Sequence, residues 1–230
     1  MKGFFDPDLF ARTYRDPLAW LSLAVDLLPI AAVVLFGWKA VPLVALYWLE
    51  NLVIGAFTIL RMIGTVANNI ANIGLVLFLA PFFTVHYGMF CYGHGMFLRG
   101  FSGQEGDGAF GGGPVDLVEW ALHTGPHMTW FVGAIVAVNA VFYLVDYILR
   151  GGYRSADPST EMFAPYGRIV TLHVAIILGA GLTMAVGQPM LGVLVLIFLR
   201  VVFGMILNML RRSRMEGGVG KLAEALAQVR

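Results

Sequence analysis

Apolar residues fill this chain in six long runs, broken by short stretches rich in glycine, proline and tryptophan. A helix needs roughly 20 apolar residues to cross about 30 Å of hydrocarbon. The runs predict spans at residues 18–36, 40–63, 70–98, 126–149, 165–187 and 189–210. Pro126, Pro165 and Pro189 stand at the starts of the last three spans, in the first turn, where a missing N–H costs nothing. The expected fold is an all-α membrane bundle of six transmembrane helices.

The segments outside these runs read differently. Residues 1–17 carry aspartates and prolines ahead of any apolar stretch, which does not fit a secretory signal and predicts a segment on the membrane surface. Residues 99–125 form a connection. Its FSGQEGDGAFGGGP stretch has no lysine and no preceding strand, so it reads as a flexible linker and not as a phosphate loop. Residues 115–123 read as a short interfacial helix with Asp116 at its start. Residues 212–230 form a tail with a short amphipathic helix after the basic stop RRSR.

Composition supports the membrane reading. The chain is 59% hydrophobic and 13% charged, with mean hydropathy +0.79. Soluble domains carry about 25% charged residues, and one core cannot hide this apolar excess. Fifteen basic against fourteen acidic residues leave +1, which implies no nucleic-acid partner. The single cysteine, Cys91, excludes an internal disulfide framework.

The charges also predict orientation. With the N-terminus inside, twelve Lys and Arg residues fall in inner segments and only Lys39 and Arg99 in outer ones. That bias follows the positive-inside rule. Both termini are expected in the cytoplasm, with the glycine-rich connection outside.

The informative residues are those that hydropathy forbids, because an ionisable group in the bilayer costs several kcal/mol and needs a partner or a role. Spans 1 to 6 carry, in order, Asp26, Glu50 with Asn51, His86, Asn139, His173 and Arg200. Counted from the outer ends at about 1.5 Å per residue, all lie about 15–21 Å deep. If Arg200 pairs with Asp26, then Glu50, His86 and His173 remain, a composition of two imidazoles and one carboxylate. That set suits an open transition-metal site for zinc, iron or manganese, with Asn51 or Tyr87 orienting a ligand. Such a site would serve a membrane metalloenzyme or redox protein.

His94 lies eight residues past His86, about 80° around and about 12 Å further out, so one ion cannot join both on a straight helix. It extends the candidate site outward. His123 and His127, with Met89, Cys91, Met96 and Met128, offer softer donors suited to copper. Haem held by His86 and His173 is a further option. Two rivals stand beside the metal site: a proton- or ion-coupled transporter using Asp26, Glu50 and Arg200, and a non-catalytic scaffold whose polar residues are interhelical glue. The lipid bilayer is the expected partner, and a homo-oligomer stays open.

The motifs YWLEN, FFTVHYGMFCYGHGMF and PYGRIVTLH resemble a family of uncharacterised bacterial inner-membrane proteins, known as a domain of unknown function. The resemblance covers spans 2 to 6 and falls on Glu50, Asn51, His86, His94 and His173. It implies a multi-pass protein of the bacterial inner membrane. Its usual sixth helix carries a lysine and then an aspartate, where this chain has Arg200 and Asn208.

Overall fold

A computed structural model describes residues 13–102 and 112–167, with Ala11, Ile169, Val170, His173, Phe198, Val201, Val202, Met205 and Met209. The chain divides into two compact units, Met1–Leu27 with Ile197–Arg230, and Leu28–Leu196. Spans 5 and 6 of the sequence reading lie largely outside the described residues. So do Arg200 and its expected pairing with Asp26, most of the glycine-rich connection and the C-terminal tail.

Helix α1 spans Pro17–Phe36. Asp16 caps it, its carboxylate accepting the Leu18 N–H at 3.1 Å, and Pro17 occupies the first helical position. Gly37 ends it at φ 64°, with its N–H on the Val33 carbonyl at 3.0 Å. In the unit that holds the start of α1, Leu18, Ala19, Val25 and Asp26 are buried.

The larger unit is built on two long helices, α2 at Ala40–Asn68 and α3 at Asn72–Phe101. Asn69 makes the turn between them, its side-chain oxygen accepting the Ala71 N–H at 3.0 Å. The two helices pack closely because glycines stand where aromatic rings cross. A Cβ on Gly95 would come within 2.7 Å of the Trp48 ring, and one on Gly55 within 2.9 Å of Tyr87. Trp48 donates its indole N–H to the Cys91 carbonyl at 2.7 Å, and Tyr87 donates its hydroxyl to the Asn51 carbonyl at 3.1 Å. Met62, Leu79, Phe83, Tyr87, Cys91, Met162 and Ile169 fill the core between them.

Helix α4, Pro114–Leu122, is the short helix expected there, with the Asp116 carboxylate accepting the Gly113 N–H at 2.6 Å. Helix α5 runs Met128–Val141 and continues as a π-helix over Phe142–Leu149. The wider turn shows in the Arg150 N–H, which reaches the Val145 carbonyl five residues back at 2.8 Å. A 3₁₀ turn, Gly152–Arg154, and a short helix α6, Pro158–Phe163, follow. Asp157 caps α6 by accepting the Thr160 N–H at 2.9 Å. Tyr166, Gly167, Ile169, Val170 and His173 are helical.

Several boundaries differ from the sequence reading. Helix α2 runs to Asn68, because Arg61 finds an ion partner and the helix can continue past it. Helix α3 takes in Arg99 and ends at Phe101, so the connection starts later. Pro126 lies before α5, in a turn closed by His127 at φ 60°, and the Pro126 carbonyl accepts the Trp38 indole N–H at 3.2 Å.

Among the described residues, Pro17–Phe36, Ala40–Asn68, Asn72–Gly100 and Met128–Leu149 are long and apolar enough to cross a membrane. The chain is a multi-span helical membrane protein.

Candidate functional site

An aromatic and imidazole seam runs between α3 and the helical residues that follow α6. Its lower level holds His86. The ring of His86 stacks on Phe82 with centroids 5.3 Å apart, meets Phe90 edge-on at 5.2 Å and lies 6.1 Å from Tyr166. Two turns further along, His94 Nε2 and His173 Nδ1 stand 2.8 Å apart. The register is parallel, since 86 meets 166 and 94 meets 173, so both helices advance together toward the same end.

The His94–His173 contact is a hydrogen bond between imidazoles, with one ring donating and the other accepting. His94 is half-buried and His173 is exposed. The remaining nitrogen of His94, Nδ1, is buried and has no hydrogen-bond partner among the described residues. A buried polar atom left in this state costs free energy, and the hydroxyls of Tyr14 and Tyr47 share it.

Glu50 stands apart from this seam. On α2, Trp48, Leu52, Gly55, Ile59 and Met62 form the face toward α3. At about 100° per residue, Glu50 is about 140° around from Gly55 and within about 20° of Phe57. Phe57 meets Tyr143 at 6.1 Å, on the far side of α2. Glu50 is buried there, 3% exposed. Among the described residues no three His, Cys, Asp or Glu side chains gather as a metal cage. Glu50 therefore lies off the seam, and His173 stands level with His94, two turns beyond His86, so the common level expected for the three is not met.

The other sequence candidates have local partners. Asn51 and Asn139 donate their amides to carbonyls one turn back on their own helices, at 3.1 Å and 2.8 Å. Asp26 is buried in the other unit. His123 Nδ1 bonds the Glu119 carbonyl at 2.7 Å, His127 packs on Phe36 at 4.9 Å, and Cys91 lies in the apolar core. These three do not converge with His94.

The sequence reading passed over one further cluster. Arg61 grips Glu161 with two hydrogen bonds, 2.6 Å and 3.0 Å, across 100 residues. Tyr147 lays its ring 4.6 Å from the guanidinium and donates its hydroxyl to the Arg61 carbonyl at 2.5 Å. Arg61 entered the sequence reading only as an inner charge. Nothing in the spacing linked it to Glu161, although a lone arginine inside an apolar run already called for a partner.

A family model described as a family of unknown function, DUF6498, matches residues 8–219. No curated protein and no solved structure matches the chain. The match takes in every described long helix and both histidines of the pair, so the chain belongs to the family of unknown function DUF6498.

Proposed function

We propose that this is a six-span protein of a bacterial inner membrane, with both termini in the cytoplasm and the His94–His173 pair as its working centre. In this reading the pair binds one transition-metal ion. The 2.8 Å separation of His94 Nε2 and His173 Nδ1 carries the proposal. Imidazole nitrogens bind zinc at about 2.0–2.1 Å, which puts two ligands of one tetrahedral ion about 3.4 Å apart. Opening the pair by roughly half an ångström would exchange the shared proton for a metal. Imidazole donors admit zinc, iron or copper, and manganese where oxygen ligands complete the shell. The exposed side at His173 leaves coordination positions for water or substrate, as an open site requires. Glu50 and His86 then act outside the first coordination sphere.

The intact hydrogen bond favours a second reading, a proton step between the two rings. Elemental analysis of the purified protein separates the two. Bound metal that chelation removes and re-addition restores supports the first. Metal-free protein that moves protons in liposomes supports the second, and a scaffold does neither. Reporter fusions after Gly111 and Arg230 should report opposite sides of the membrane, and matching sides would overturn the topology.

A further inference from the structure

The ends of α1, α2 and α3 and the turn before α5 frame an open cavity of about 380 Å³, built from residues other than the imidazole pair. Its walls are mostly apolar: Phe36, Trp38, Val41, Pro42 and Pro126. Lys39, Ser102 and Thr124 supply the polar lining. The volume falls in the range of small-molecule sites, about 300–1,000 Å³.

The walls are preformed. Trp38 is buried, 2% exposed, and its indole N–H holds the Pro126 carbonyl at 3.2 Å. Gly125 closes the contact, since a Cβ there would lie 2.9 Å from Pro42 and 3.1 Å from Trp38. The Trp38 ring also packs on Phe131 at 4.8 Å. The cavity therefore does not depend on a mobile side chain to keep its shape.

Its polar groups define the ligand. Lys39 is exposed, and among the described residues it has no carboxylate partner. Its ammonium offers three donors to an anion. The hydroxyls of Ser102 and Thr124 already donate to the carbonyls of Arg99 and Ala121, at 2.6 Å and 2.7 Å. Their oxygens are left to accept, which suits a ligand that carries hydroxyls of its own. Just before Phe36 in the last turn of α1, Val34 and Leu35 are 74% and 71% exposed and offer apolar surface to a hydrocarbon chain. The cavity lies at the ends of membrane-crossing helices, where headgroups meet hydrocarbon.

We propose that this cavity binds the hydroxylated phosphate ester of an anionic amphiphile, with the phosphate on Lys39 and the apolar tail along Val34 and Leu35. The same phosphate chemistry could arrive as a free ion, so the test separates the two sources. Purified full-length protein in neutral detergent would be titrated with phosphatidylglycerol, with phosphatidylcholine and with inorganic phosphate, and binding read by native mass spectrometry and thermal shift. Wild type should prefer phosphatidylglycerol over phosphatidylcholine, and inorganic phosphate alone should give no shift. Lys39→Gln, at an exposed position that should not disturb folding, should cut that preference about fivefold, the effect of one basic residue near a headgroup. Arg150→Gln, at an exposed site outside the cavity, should leave it intact. Equal binding of the two lipids, or a preference unchanged in Lys39→Gln, would overturn the site. A Lys39-dependent shift with inorganic phosphate alone would overturn the amphiphile assignment.

Discussion

The Arg61–Glu161–Tyr147 cluster and the His94–His173 pair both join polar side chains far apart in sequence, yet they are built in opposite ways. In the first, the guanidinium has two carboxylate bonds and an aromatic face, and its own carbonyl takes the Tyr147 hydroxyl. In the second, one hydrogen bond joins two rings, one ring is exposed, and a buried nitrogen has no hydrogen-bond partner among the described residues. A satisfied network fixes structure, because losing either partner strands the other. An unfinished one costs stability and leaves donor atoms available to a ligand. The contrast fits a holding role for the first cluster and the chemistry proposed above for the second.

The largest expected effect tests the holding role. Glu161→Ala should destabilise the protein by about 2–3 kcal/mol, less than a fully buried pair would give because the Arg61 side chain is 33% exposed. Thermal unfolding in detergent measures it. The double variant Arg61→Ala/Glu161→Ala should cost less than the sum of the singles, and strict additivity would show that the pair contributes nothing.

Helix packing comes next. Gly95→Ala places a methyl group against the Trp48 ring and should cost about 1–3 kcal/mol. Gly93→Ala, two residues earlier with open space around it, should be neutral or stabilise by up to about 1 kcal/mol, since alanine suits a helix interior better than glycine. Equal melting temperatures for the two variants would contradict the close α2–α3 crossing.

The smallest stability effect is expected at the pair itself. His94→Ala removes one weak bond and one unsatisfied nitrogen together, so the melting temperature of the metal-free protein should hardly move. A large loss there would make the pair structural and erase its difference from the Arg61 cluster.

The sequence showed some of this and hid the rest for physical reasons. Long apolar runs reveal spans directly, and α1, α2, α3 and α5 stand close to where the runs put them. Depth was read less well, because each count starts from an uncertain helix end: His173 stands level with His94, two turns beyond His86. Direction around a helix is legible only once the neighbouring helices are known. That is why Glu50 and His86 looked like ligands of one ion, although Glu50 shares the Phe57 face of α2 and His86 lies on the far helix among Phe82, Phe90 and Tyr166. His94 and His173 were both marked as candidates, but their pairing across 79 residues needed the parallel register of two helices. The π-helix at Phe142–Leu149 left no readable signal, since its residues are as apolar as those of an α-helix.

Metal content across four purified proteins tests the central claim most directly. Wild type should carry about one transition-metal ion per chain, as a single open site implies. His94→Ala and His173→Ala should each lose it, while His86→Ala, which removes a ring outside the pair, should keep it. A wild type that neither carries nor takes up metal would contradict the account, and so would an occupancy that depends on His86 and survives the loss of His94.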